Sequence, residues 1–145
     1  LFIKRMSDLT DTEALPKHFH QALSDLPEHV LAYAIRGPLF FGAAEKALSV
    51  LRRFTPGVKV VIVDISAVPL LDMTAIAALD NVLRDYREQH VALVLSGPTP
   101  QVRLQLRRAG IVRVEGELAY VRDLAQAREK ALRWLTSKAD GESTD

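Results

Sequence analysis

Gly37 and Gly42 enclose four residues between a strand-compatible run and a helix-compatible one, the glycine spacing of a phosphate-binding P-loop. That chemistry needs a lysine ammonium for the phosphates and a hydroxyl for magnesium directly after the second glycine. Ala43 and Ala44 stand there instead, which excludes nucleotide hydrolysis at this loop. The amides that open the helix, near Phe41, Gly42 and Ala43, could still hold a small anion through unpaired N–H groups and the helix dipole. The alternative is a turn after Gly37 in which Phe40 and Phe41 pack into the core or onto a neighbour.

Asp72, Met73 and Thr74 open a second helix, where Asp and Thr side chains accept backbone N–H groups that lack a helical partner. Capping alone explains Asp72. Met73, if exposed, suits an adaptable hydrophobic contact, and Thr74 carries a hydroxyl at a helix N-terminus. A third cluster is cationic: Arg103, Arg107 and Arg108, with Arg113 beyond Gly110. Arg103 and Arg107 are four apart and share a helix face. The cluster is either a solvated face or a dock for an acidic protein surface or anionic lipid headgroups.

Other reactive side chains form no constellation. His18 and His20 make an isolated HxH, and a zinc site needs three or four ligands, so no metal is expected. Asp64 ends a strand, where α/β proteins often place their sites, but it has no His or Lys nearby in sequence as an acid–base partner. Ser24, Ser49, Ser66 and Ser96 lack a nucleophile-elbow context. The expectation is a protein without catalysis or cofactor.

The elements that must position these residues are read from hydrophobic periodicity. Val30–Arg36 is strand-compatible and stops at Gly37-Pro38. Ala44, Ala47, Leu48, Leu51 and Phe54 recur at helical spacing over 42–54. Val58–Ile65 is nearly all β-branched, the mark of a strand covered on both faces. A helix over Asp72–Gln89 turns Ile76, Leu79, Val82, Leu83 and Tyr86 inward. Val91–Leu95 is a second doubly covered strand. Thr99 as N-cap and Pro100 at the first helical position open a helix to about Ala109, with Gly110 at its left-handed C-cap. A short strand is expected over Ile111–Val114 and a last helix from about Leu118 to Ser137. Strands alternating with helices give an α/β domain. Its sheet should hold four or five mostly parallel strands, with about four helices packed mainly on one side.

The 145 residues suit one domain, and 48% hydrophobic with 26% charged residues is ordinary for a globular protein. A net charge of +1 gives no field for nucleic acid. The absence of cysteine excludes disulfides, thiol nucleophiles and cysteine zinc sites. No apolar run approaches the roughly 18 residues of a membrane span. Leu1-Phe2-Ile3 followed by Lys4-Arg5 reads as the last turn of a membrane helix meeting its cytoplasmic basic flank. The expected organisation is therefore a helix end over 1–5, a linker over 6–29 with a short edge strand near His18–Ala22, a domain over 30–138, and a disordered tail over 139–145.

This element order resembles the STAS domain family on two motifs. One is Val60–Thr74 (VVIVDISAVPLLDMT), a buried strand, a turn, and Asp-x-Thr opening a helix. The other is Arg36–Glu45 (RGPLFFGAAE), which is similar to a segment of the family's sulfate-permease (SulP) transporter branch. In the family's anti-sigma-factor antagonists the first motif ends in Asp-Ser-Ser or Asp-Ser-Thr followed by Gly, and the first Ser accepts a phosphate. Here Asp72 keeps the acid, Met73 replaces the phosphoacceptor, and Ala75 replaces Gly. The resemblance covers about residues 30–135.

The resemblance implies a STAS-like fold and a regulatory, interaction role in an inorganic anion transporter of sulfate or dicarboxylate type. Its partner would be the transporter's own membrane part, on the cytoplasmic face of the bacterial inner membrane, in a homodimeric parent protein. The rival is a stand-alone antagonist phosphoswitch, against which Met73 counts.

Overall fold

In the computed structural model, residues 2–5, 26–37, 45, 48–53 and 56–143 are described, with the side chains of 26–138 among them. Five strands form one sheet in chain order: β1 (Phe2–Arg5), β2 (Val30–Arg36), β3 (Val60–Ala67), β4 (Ala92–Ser96) and β5 (Leu118–Val121). β2 to β5 run parallel, and β1 is antiparallel on the edge. Three helices lie wholly among the described residues: α1 (Met73–Glu88), α2 (Pro100–Arg108) and α3 (Leu124–Ser143).

The strand order dictates where the helices lie. Each parallel connection steps to the next strand in the same direction, and such crossovers are right-handed. All of them must therefore fall on one face. Leu31, Tyr33, Ile35, Val61, Val63, Ile65, Leu93 and Leu95 line that face, and α1, α2 and Leu51 cover it. α3 follows the last strand, is no crossover, and covers the opposite face. The alternation of the strands makes this possible, because Val30, Ala32, Ala34, Val60, Ile62, Ala92 and Val94 point the other way. Four of the residues beneath α3 are alanines, Ala32, Ala34, Ala92 and Ala119, and α3 answers with Ala127, Ala131 and Trp134. Small residues on both sides permit a close approach, with the indole filling what remains. The indole Nε1–H donates to Glu115 Oε1 at 2.9 Å.

The helix caps form as their residues dictate. Asp72 accepts from the Ala75 amide at 2.9 Å and Thr99 from the Val102 amide at 3.2 Å. Gly110 follows α2 with φ +78°.

Four expectations need correction. Phe2–Arg5 is a strand, not the turn of a membrane helix; its backbone pairs with β2, Ile3 opposite Ile35, and so satisfies an edge that would otherwise lack partners. The fifth strand is Leu118–Val121 rather than Ile111–Val114, which contributes only an isolated bridge from Val114 to Leu118. The last helix begins six residues later than Leu118, because the Asp123 carboxylate accepts the Gln126 amide at 2.9 Å and caps it there. That helix continues to Ser143, through most of the expected tail. Of the helix expected over 42–54, Glu45 and Leu48 are helical and Ser49–Arg52 continue as a 3-10 turn with Leu51 buried, in keeping with the expectation where the residues are described. The expected edge strand near His18–Ala22 lies outside the described residues.

Candidate functional site

The parallel strands deliver their C-terminal ends, and the loops that follow, to one edge of the sheet. After β3 the chain runs through Pro69 and Leu70 to Asp72, Met73 and Thr74. Asp72 serves two groups with one oxygen: Oδ1 accepts from the Ala75 amide and, at 2.7 Å, from the Thr74 hydroxyl. Both bonds hold the carboxylate against the first turn of α1. Met73, between them, is 86% exposed, and Leu70 beside the loop is 37% exposed. Burial of this thioether against another surface would remove its apolar area from solvent.

The loop is also held from behind by Gln105, which sequence reasoning missed. Its side-chain carbonyl accepts from the Leu71 amide at 3.0 Å, and its amide group donates to the Leu71 carbonyl. The side chain thus replaces a strand partner for the residue immediately before Asp72. A signal existed in principle: Gln105 precedes Leu106 on a helix whose Val102 and Leu106 are fully buried, so its amide must meet a protein group.

Asp64, Ser66 and Ser96 meet at the ends of β3 and β4. Asp64 is nearly buried and accepts from the Ser66 hydroxyl at 2.8 Å. Ser96 lies beside Asp64 in the ladder, fully buried. Gly97 closes the group: a Cβ there would stand 2.9 Å from Ser66 Cβ. Asp64 and Ser96 are buried, whereas Ser66 is exposed at the strand end. The core face holds an apolar void of only about 20 Å³ near Leu51, Leu71 and Leu95, too small for a ligand.

The remaining expected sites separate. Gly37 ends β2, and its amide donates to the Ala67 carbonyl at 3.0 Å. Phe41, Gly42 and Ala43 lie outside the described residues, as do His18 and His20. Arg103, Arg107, Arg108 and Arg113 are all exposed, and none pairs with a carboxylate among the described residues. Only Arg103 is positioned by an aromatic ring, its guanidinium 5.9 Å from the centroid of Tyr120. No cluster of three potential metal ligands occurs among the described residues.

The family model of the STAS domain matches residues 23–129. The chain belongs to the STAS domain family. Over 130 residues this STAS domain is 28% identical to the bicarbonate transporter BicA of Synechocystis, covering 90% of the chain and 23% of that protein. It superposes on the STAS domain of a SulP transporter from Vibrio cholerae with TM-score 0.67 and 25% identity, covering 84% of the chain and 99% of that domain. The anti-sigma factor antagonist SpoIIAA shares the fold at TM-score 0.50 and 14% identity, over 68% of the chain and 84% of that protein. The chain spans less than a quarter of the length of the curated transporters it matches. No helix among the described residues is long and apolar enough to cross a membrane.

Met73, which the sequence resemblance sets against the phosphoacceptor of the antagonist branch, is exposed. The adjacent hydroxyl of Thr74 is already bonded to the Asp72 carboxylate. A phosphate on Thr74 would face that negative charge at close range, an arrangement that like-charge repulsion disfavours.

Proposed function

We propose that this STAS domain is the regulatory and contact domain of a membrane inorganic anion transporter of sulfate or dicarboxylate type. It would sit on the cytoplasmic face of the bacterial inner membrane. The observation that carries the reading is the co-extensive likeness to a SulP transporter's STAS domain, at 25% identity over nearly all of that domain. In this reading the domain has no catalytic role. It acts by touching the transporter's own membrane part, in a homodimeric parent protein. The loop Asp72–Thr74 is the first contact surface, with Met73 as its apolar tip. The exposed arginines of α2 form a second, for an acidic protein or anionic headgroups.

The antagonist reading is the weaker one. A phosphoswitch at this loop needs an acceptor where Met73 stands, and a thioether cannot be phosphorylated.

The test is Met73→Asp in the full-length protein, a change at an exposed position that leaves the core intact. Uptake of sulfate and of a dicarboxylate is measured per transporter in the membrane. Reduced uptake with an unchanged ratio between the two substrates is the expected result, since discrimination resides in the membrane pathway. A full-length protein that transports neither class, or a changed ratio, would overturn the reading.

A further inference from the structure

A cleft of about 300 Å³ opens where the ends of β4 and β5 meet the first turns of α2 and α3, lined by Gly97, Pro98, Arg103, Tyr120, Arg122 and Gln126. The Gly97 amide donates to the Val121 carbonyl at 2.9 Å and joins the two strand ends into its floor. Tyr120 is fixed by a bond outside the cleft, and Arg103 and Gln126 by other lining residues. The Tyr120 hydroxyl donates to the Ile111 carbonyl at 2.6 Å, which locks the ring. The ring in turn carries the Arg103 guanidinium on its face. Gln126 uses its side-chain oxygen to accept from the Arg122 amide at 3.0 Å, so its NH2 group has no partner among the described residues.

The charge balance of the cleft is uneven. Neither Arg103 nor Arg122 pairs with a carboxylate among the described residues. The nearest acid in sequence, Asp123, is directed at its own helix, where it accepts the Gln126 amide. Two arginines and a glutamine therefore line one concave space that, among the described residues, has no carboxylate in its lining.

From this juxtaposition we infer that the cleft binds a small, doubly charged tetrahedral oxyanion of the sulfate or hydrogen phosphate class. A guanidinium presents paired N–H donors that match two oxygens of such an anion. A tetrahedral dianion offers oxygens to both forks and to the Gln126 amide, and its charge equals that of the two arginines. A monovalent spherical ion satisfies neither the count of donors nor the charge. The site is distinct from the Asp72–Thr74 loop, and the inference stands independently of the transporter reading.

The test uses the 145-residue chain, isotopically labelled, with backbone amide NMR during titration by sodium sulfate against sodium chloride at matched ionic strength. Sulfate should give saturable shifts centred on Gly97, Val121, Arg122 and Gln126, and chloride should not. Arg103→Gln and Arg122→Gln should each weaken binding about tenfold, the loss of one charge-assisted pair. Arg107→Gln, one turn along α2 and outside the cleft, should leave it unchanged. Both cleft arginines are exposed, so the spectra of the variants also report that the fold persists. Shifts that are equal for both salts, or saturable shifts that survive both substitutions, would overturn the inference. So would binding to vesicles of anionic phospholipid without any response to free sulfate.

Discussion

Gln105 and Leu71, thirty-four residues apart, bond to each other in both directions, amide to carbonyl and carbonyl to amide. One side chain of α2 thereby fixes the backbone just ahead of the exposed Met73. The Asp72–Thr74 loop is shaped by its neighbour helix as much as by its own cap.

Gln105→Leu should cost about 1–3 kcal/mol, because it removes both partners of a part-buried backbone unit while keeping apolar volume. Hydrogen exchange at Leu71 should accelerate beyond the global change. Thermal melts with exchange measured by mass spectrometry check both. Unchanged exchange at Leu71 would mean that the loop holds itself.

Gly97→Ala should destabilise more than Gly110→Ala. Both glycines have positive φ, which costs another residue roughly 1–2 kcal/mol. At Gly110 the added methyl meets nothing within 4 Å, whereas at Gly97 it meets Ser66 Cβ at 2.9 Å and Asp64 Oδ1 at 3.5 Å. Overpacking of that kind adds about 1–3 kcal/mol. Urea titrations of the two variants should differ in unfolding free energy by that amount, and equal stabilities would refute the close approach at Gly97.

Burial pushes the Tyr120 phenol up to about 12, with the Arg103 guanidinium pulling the other way. The folded value lies above the ordinary 10, so the unfolded chain loses this proton first. Stability from this group is complete below pH 10 and is lost as pH rises toward 12. Tyr86, also raised by burial, adds to the same alkaline loss. Tyr120→Phe should be less stable than wild type at pH 8 by about 1 kcal/mol, the bond to Ile111. The gap should narrow between pH 10 and 12. A gap that stays constant across urea melts at pH 8, 10 and 11 would count against the shift.

The central elements were legible because their signals are local. Val60–Ile65 is β-branched at almost every position, and Asp72 and Thr99 are cap residues at the point where apolar periodicity starts. The β5 strand was not, since Leu118–Val121 continues without a break into the apolar positions of α3 and only the Asp123 cap divides them. β1 escaped for a different reason: four residues carry no period, and pairing with β2 decides their state. Gln105 and the Arg103–Arg122 cleft are relations between elements. Spacing along one helix placed Arg103 with Arg107, whereas the sheet places it beside Tyr120 and Arg122.

Ile62 tests the two-faced packing directly. It is fully buried in the central strand, between Ala32 and Val94 in the ladder, on the face covered by α3. Ile62→Val removes one methylene and should cost about 0.5–1.5 kcal/mol. Ile62→Asp places a carboxylate with no counter-charge in that layer, a penalty of several kcal/mol against a typical total of about 5–15. α3 approaches the sheet closely over alanines, which leaves little room there for a hydrated carboxylate. The Asp variant should therefore lose its cooperative melt and near-native circular dichroism, while the Val variant keeps both. A cooperative transition for Ile62→Asp close to that of wild type would mean that α3 does not seal this face.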